Sequence, residues 1–363
     1  MALFRSLFWL LNKLLFVYAI LVYGLVYSTW VTHWLAGFMM MSLQVVWGIN
    51  ILFVGYWLLA QPSRALLSVL ILAVGYPLFS RTYRFNDTPP PMAVTENPKI
   101  LRVLNYNVMS FDVLGYLDNI NPQGALNMIR WAKSNDADIK CFQEFYNLDS
   151  RPNFNTTQQI KARGYRYMVA LHPLAAQNEE NFFGLAIFSK YPIVAQEEIA
   201  FAGLNGLLRA DIKIGKDTIR VINTHLRSMA LRINKVLKEK EYQAAKDETK
   251  SALKILKSGF EVRANHLEIL EDWIKKSPYP LLVCGDFNEI PYGLSYGRVR
   301  KHLNNAFEDA GSGFGFTYNK APRFIRIDNQ FYDPRKFKAV ELKTYRDIIF
   351  SDHCPVEGTY LIN

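Results

Sequence analysis

Four apolar, strand-like runs in this 363-residue chain end on residues suited to handling phosphate or a divalent metal, and a fifth is preceded by two more. The sharpest case is YPLLVCGDFNEIP, Tyr279 to Pro291. Leu281 to Cys284 reads as a buried strand, Gly285 permits a sharp turn, and Asp286 and Asn288 project where the backbone leaves the sheet. Taken alone, Gly, Asp and Asn in a row describe an ordinary exposed turn. The arrangement recurs, however. Asn107 ends a second apolar run, Glu144 a third and His225 a fourth, while Asp352 and His353 open the last. Chance supplies one or two such positions, and it is a poor account of all seven. Polar groups delivered repeatedly to one sheet edge describe a single site built from distant parts of the chain.

The residue types fit one chemistry. Glu144, Asp352 and Asn107 offer hard oxygen ligands, suited to Mg²⁺ or Mn²⁺ rather than to a thiolate-seeking metal. Such an ion binds a phosphoryl oxygen and neutralises the charge that grows as water attacks phosphorus. A histidine beside a carboxylate can take the proton from that water, and His225 and His353 are both available. A buried Asp accepting the other ring N–H fixes the tautomer. Asp328, after the apolar run Phe324 to Ile327, can serve.

These residues need a scaffold. ILRVLNYNV is a strand ending at Asn107, a helix follows from Pro122 to Ser134, and DIKCFQE ends at Glu144. FFGLAIFSKYPI, LLRADIKIG and DTIRVINTHL continue the strands, with Gly215 and Lys216 turning the hairpin between the last two. Arg232 to Lys257 is rich in Lys, Glu, Ala and Leu at helical spacing, and Val262 to Ile274 continues in the same way. Its lysines, interleaved with Glu239, Glu241 and Glu248, read as a solvated helical face. RFIRIDNQFY, AVELKTY and SDHCPVEGTYLI close the chain.

Ahead of this lies a different composition. Leu7 to Trp30 carries one charge, at Lys13, and Trp34 to Ala60 carries none, each longer than the ~20 apolar residues a bilayer crossing requires. Ala65 to Phe79 is a shorter third run containing Gly75 and Pro77. We therefore expect a transmembrane segment of three spans over residues 1–85, a stiff proline-containing linker over 86–98, and one domain over 99–363. Arg5, Lys13 and Arg64 fall on one side and Arg81 and Arg84 on the other, so the charge bias places the N-terminus in the cytoplasm and the domain outside. The spans contain almost no ionisable residue to line a path, which argues against a transporter or channel. The formal net charge of +10 favours an anionic partner, although much of the excess sits in the helical stretch. The three cysteines, Cys141, Cys284 and Cys354, lack CxxC spacing and read as core residues.

NYNV, CFQE, NTHL, GDFNEIP, RID and SDHCPV, in this order, resemble the endonuclease/exonuclease/phosphatase superfamily, the group of DNase I-like nucleases, inositol-polyphosphate phosphatases and neutral sphingomyelinases. The resemblance runs from about Lys99 to the end. It implies an α+β fold, a four-layer sandwich of two packed mixed sheets flanked by helices. It also implies a Mg²⁺ site made by Glu144 with Asn107 and Asp352. Asp286 and Asn288 would orient the nucleophilic water and the phosphate, His225 would contact a phosphate oxygen, and Asp328 would pair with His353. Whether Asp286 or the Asp328–His353 pair is the base stays open at this point. The family usually follows RID with Tyr or His, whereas Asn329, Gln330 and Phe331 follow here, so that strand edge is expected to be unusual. The expected activity is hydrolysis of a phosphodiester or phosphomonoester, in nucleic acid or in a phospholipid or inositol phosphate. The bilayer is a partner through the N-terminal helices, and no protein partner is predicted. The rival reading, a non-catalytic scaffold, predicts a broken site, and every position here holds a chemically competent residue.

Overall fold

Strand β2 (Ile100–Asn107) sends Leu101 and Val103 to one face and Leu104 and Tyr106 to the other, and all four are buried. A strand apolar on both faces must be covered on both. The computed structural model, which describes residues 2–86, 100–172, 178, 180–228, 242–320 and 323–363, answers this with two six-stranded mixed sheets. One sheet contains β2, β3 (Ile139–Leu148), β4 (Tyr167–Leu171), β5 (Asn181–Ser189), β13 (Phe337–Thr344) and β14 (Val356–Ile362), in the order β13-β14-β2-β3-β5-β4. The other contains β6 (Ile193–Ala200), β7 (Gly206–Ile214), β8 (Asp217–His225), β9 (Leu281–Asp286), β10 (Asn304–Asn305) and β12 (Asp328–Tyr332), in the order β10-β12-β9-β8-β7-β6. Each sheet has one parallel pair at its centre, β2 with β3 and β8 with β9, and antiparallel neighbours outside it. A short pair, β1 (Tyr83–Arg84) with β11 (Gly313–Phe314), stands apart.

The inner faces of the two sheets share one core, in which Leu101, Val103, Ile139 and Cys141 meet Val221, Leu282 and Cys284. The outer face of the first sheet packs Tyr106, Phe142 and Phe145 with Ala125, Met128, Ile129 and Ala132 of the helix Pro122–Ser134. That amphipathic helix begins at Asn121, whose side chain accepts from the Gly124 N–H, with Pro122 in its first turn. All three cysteines are buried and free, as expected.

Beneath that helix lies a fully buried cation. Lys140 Nζ donates to Ala132 O at 2.7 Å and Lys133 O at 3.3 Å, capping carbonyls that the helix end leaves unpaired, and it sits 4.2 Å from the Tyr165 ring centroid. Burial, aided by nearby Lys190, pulls its pKa down to about 7. Between that value and the ordinary one for lysine, the unfolded chain binds the extra proton and the folded protein does not, so this site's contribution to stability rises with pH. Below pH 7 the full penalty is present, on the order of a few kcal/mol. In denaturant titrations Lys140→Met is therefore expected to gain most, relative to the wild type, at pH 6 and to lose that gain by pH 10. A pH-independent difference would show that the amine is not desolvated.

The chain divides into two compact units. Both sheets lie in Tyr83–Ser228, His266–Asn288 and Val299–Asn363, and the second unit comprises Met1–Thr82, Met229–Asn265 and Glu289–Arg298. The apolar helices of the second unit are α1 (Ala2–Ser28), α2 (Trp34–Met41), α3 (Leu43–Ala60) and α4 (Pro62–Phe79). Three stretches, Leu3–Ser28, Leu43–Ala60 and Pro62–Phe79, are long and apolar enough to cross a membrane. The expected second span is broken at Ser42, whose hydroxyl bonds back to Met39 O at 2.7 Å. Side-chain hydrogen bonds tie the helices together. Asn12 Nδ2 donates to Ser68 Oγ at 2.8 Å, Trp57 Nε1 to Asn12 Oδ1 at 3.0 Å, and Trp47 Nε1 to Tyr23 OH at 2.9 Å. Between apolar helices in lipid, such bonds and close packing replace the hydrophobic drive. The charged helical stretch is one continuous helix, Tyr242–Lys275, through Gly259. Residues 232–241 of that stretch, and 87–98 of the expected linker, lie outside the described residues.

Candidate active site

Strand alternation grades the inner face from apolar to polar. Along β8 the inward positions are Ile219, Val221, Asn223 and His225, along β9 they are Leu282, Cys284 and Asp286, and along β2 they are Leu101, Val103, Asn105 and Asn107. Along β12, running the opposite way, they are Tyr332, Gln330 and Asp328. The middle rung is a layer of amides. Gln143 Nε2 donates to Asn105 Oδ1 at 2.8 Å and to Asn223 Oδ1 at 2.6 Å, while Gln330 Nε2 donates to Val103 O at 3.0 Å and Val356 O at 3.1 Å. Above that layer comes the candidate site. Register sets it directly: His225 faces Asp286 across β8 and β9, and Asp286 faces Asp328 across β9 and β12.

Two site residues need a backbone that side chains seldom adopt. Glu144 sits where the β3–β5 register shifts between Phe142 and Phe145, with φ of 51°, so a bulge re-aims its carboxylate. Asn288 has φ of 50°, a conformation its type tolerates best. Gly285 lies within β9 rather than at a turn. A Cβ there would stand 1.9 Å from Thr224 O, so only glycine lets β8 and β9 approach this closely.

Asp286, almost fully buried, is the hub. Its Oδ1 accepts from the Asn288 N–H at 2.8 Å, and its Oδ2 accepts from Asn107 Nδ2 at 3.2 Å and Asn288 Nδ2 at 3.1 Å. The same Oδ2 stands 3.6 Å from both His225 Nε2 and His353 Nε2. His225 Nδ1 lies 3.0 Å from Leu204 O, which can only accept, so that nitrogen carries the proton and Nε2 is left for the site. His353 Nδ1 is 2.9 Å from Asp328 Oδ2. Burial alone would depress the His353 imidazolium, but Asp328 and then Asp286 override it and raise its pKa to about 10. Burial raises the pKa of Asp286, with Asp328 adding to it while His353 and His225 pull the other way.

Glu144 Oε1 accepts from Asn107 Nδ2 at 3.3 Å and lies 3.8 Å from His225 Nε2, its side chain 28% exposed. The Asn107 Oδ1 accepts from the Met109 N–H at 3.1 Å, so Asn107 presents its amide hydrogens, not its oxygen, to the two carboxylates. Among the described residues Asp352 makes no side-chain hydrogen bond to Asn107 or Glu144. It is tied to them through Ser351, whose Oγ donates to Asn107 O at 2.8 Å and lies 3.4 Å from Asp352 Oδ1. Among the described residues, one group of acidic and imidazole atoms lies within 4.8 Å of one another, that of Asp286, Asp328 and His353, a different trio from the one expected for the metal. Those atoms are largely engaged with one another and with Asn288. Among the described residues, Glu144 Oε2 and Asp352 Oδ2 have no side-chain hydrogen bond, so these two carboxylates suit a hard cation better.

Ser351 was not singled out in the sequence, although its place in SDH was a signal. Thr317, Tyr318 and Asn319, which pack against this region, gave none. The departure after RID is accounted for. Asn329 accepts from the Arg326 guanidinium, Gln330 stitches the two sheets, and β12 pairs with β9 without a break.

Comparison with known proteins bears on the fold and the family. The model of the "Endonuclease/Exonuclease/phosphatase family" matches residues 104–353, and a domain of unknown function matches residues 5–82. No match is found among curated proteins. Among solved structures, an endonuclease/exonuclease/phosphatase from Beutenbergia cavernae DSM 12333 aligns with 73% of this chain and 72% of its own, at 17% identity and a TM-score of 0.50. ANGEL2, a 2′,3′-cyclic phosphatase in complex with adenosine-2′,3′-vanadate, aligns over 73% of this chain and 96% of its own, at 16% identity and a TM-score of 0.51. At such identities the likeness is one of fold.

Proposed function

Because the chain belongs to the endonuclease/exonuclease/phosphatase family, whose named activities all break phosphate esters, we propose that it is a membrane-anchored, metal-dependent phosphodiesterase. The observation that carries this reading is the buried Asp286 carboxylate with two imidazole Nε2 atoms 3.6 Å away and Asp328 behind one of them. Asp286 accepts the proton of the attacking water. Its raised pKa makes it a better base than an ordinary carboxylate, and Asn107 and Asn288 fix its orientation. His353, held as an imidazolium by Asp328, stabilises a phosphoryl oxygen as negative charge builds, and His225, its ring fixed by Leu204 O, turns Nε2 to the same point, where it can donate only when that nitrogen also carries a proton. A divalent ion, Mg²⁺ or Mn²⁺, held by Glu144 and Asp352 beside Asn107, supplies a Lewis acid for a phosphoryl oxygen when bound. Glu144 and Asp352 as metal ligands, Asn107 not as the expected oxygen ligand but as the donor that orients Glu144 and Asp286, and His225, Asp286, Asn288, Asp328 and His353 as catalytic residues complete the proposal.

Three long apolar helices support a multi-pass anchor, and the charge bias supports a reading in which the catalytic domain lies outside the cytoplasm. That placement suits a lipid headgroup or inositol phosphate and equally suits scavenged DNA or RNA. The test offers plasmid DNA, RNA, inositol phosphates and sphingomyelin micelles to the purified full-length protein with Mg²⁺ or EDTA, and offers the cleaved class to intact cells. Mg²⁺-dependent cleavage of one class, also seen outside intact cells, is expected, with Glu144→Gln lowering turnover by about 100-fold. Full activity in EDTA or in Glu144→Gln would refute the metal assignment, and cleavage only after cell lysis would reverse the orientation.

A further inference from the structure

We propose that Thr317 is a positioning residue for the Asp328–His353 pair, acting with Tyr318 and Asn319 as a clamp that holds both members in register. The proposal rests on the reading of that pair as catalytic.

Asp328 and His353 reach each other from different parts of the chain, and their contact runs through one oxygen. Asp328 Oδ2 bonds His353 Nδ1 at 2.9 Å, while Asp328 Oδ1 is buried without a hydrogen-bond partner among the described residues. Among the described residues no second hydrogen bond steadies the carboxylate, so its position depends on where the backbone at residue 328 is placed. Thr317 sets that backbone. Its hydroxyl, buried in a residue 1% exposed, accepts both the Ile327 N–H and the Asp328 N–H, each at 3.1 Å. A hydroxyl oxygen has two lone pairs and can accept both.

The same short segment holds the other partner. Thr317 O accepts from the Cys354 N–H at 2.7 Å, immediately after His353. Tyr318 forms a β-bridge with His353 and sets its ring edge-on to the imidazole, with centroids 5.6 Å apart and planes at 79°. The Asn319 N–H donates to Asp352 O at 2.7 Å and its Nδ2 to Ser351 O at 3.2 Å. Three consecutive residues therefore bond to Ile327 and Asp328 on one side and to Ser351 through Cys354 on the other. Catalytic geometry tolerates little error, and a displacement of about 1 Å can cost on the order of 100-fold in rate.

The test uses the full-length protein with bis(p-nitrophenyl) phosphate and Mg²⁺. Thr317→Val keeps the shape and removes the acceptor, and Thr317→Ser restores it. Thr317→Val is expected to lower kcat about 10-fold or more at nearly constant KM, Thr317→Ser to recover most of the loss, and Thr317→Val to add nothing in an Asp328→Ala background. A merely structural threonine would lower activity by the same factor in both backgrounds, and that result overturns the proposal. A second readout does not need turnover. The downfield proton resonance of the His353 Nδ1–H bonded to Asp328 is expected to shift or vanish in Thr317→Val and to return in Thr317→Ser. An unchanged resonance overturns the clamp whatever the turnover. A changed resonance in a protein whose wild type hydrolyses no phosphodiester supports the clamp and refutes the catalytic reading instead. If Thr317→Val does not fold, Asn319→Ala, at a half-buried position, is held to the same comparison with Asp328→Ala.

Discussion

Asp286→Asn is expected to lower kcat for phosphodiester hydrolysis by about 1,000-fold, within the range known for loss of a general base, while the sandwich stays folded. The substitution keeps the shape, so the core beneath Cys284 and Leu282 is not disturbed. What changes is charge and hydrogen-bond sense. Asp286 Oδ2 accepts from the side-chain amides of both Asn107 and Asn288 and faces two imidazoles, so it collects donors. A carboxamide there must aim its own N–H₂ either at those donors or at the Asn288 N–H that bonds Oδ1. It can no longer accept a proton, and it no longer balances His353. Rates measured at saturating substrate, with near-UV circular dichroism to confirm the fold, decide the matter. Retention of a tenth or more of the wild-type kcat would remove Asp286 from the role of base and leave the Asp328–His353 pair as the candidate.

Much of this site was legible because strand periodicity is a rigid rule. Once His225, Asp286 and Asn107 are known to end apolar strands, alternation places them on the inner face, and the sequence order of the strands follows the resemblance. The limits were equally physical. Glu144 lies within β3, which continues to Leu148, and a bulge aims its carboxylate. One extra residue against the partner strand cannot be read from one strand's composition. Gly285 looked like a turn residue, yet its role is the missing Cβ against Thr224 O, a neighbour contributed by another strand. The orientation of the Asn107 amide depends on the Met109 N–H two residues on. Thr317 lies in a stretch without apolar periodicity, and its importance comes from two amide groups ten and eleven residues away. Composition changes at about Phe85, whereas compactness joins Glu289–Arg298 and part of the long helix to the unit that holds the apolar helices, a grouping that composition cannot show.

The second large effect is expected where two histidine contacts share one function. His353→Ala and Asp328→Ala are each expected to lower kcat by about 100-fold or more, and the double variant to be hardly worse than either. His353 carries its charge because burial, which opposes it, is outweighed by Asp328 and Asp286. Without Asp328 the imidazole loses its largest source of stabilisation and the bond that fixes its ring, so Nε2 loses both proton and aim. Without His353 the buried Asp328 carboxylate has nothing left to orient. His225→Ala offers the contrast. Its ring is fixed by Leu204 O, on a different strand connection, so its loss is expected to multiply with that of Asp328 rather than merge with it. If instead His353→Ala and Asp328→Ala multiply, the 2.9 Å contact is structural and the two residues do not act as one unit.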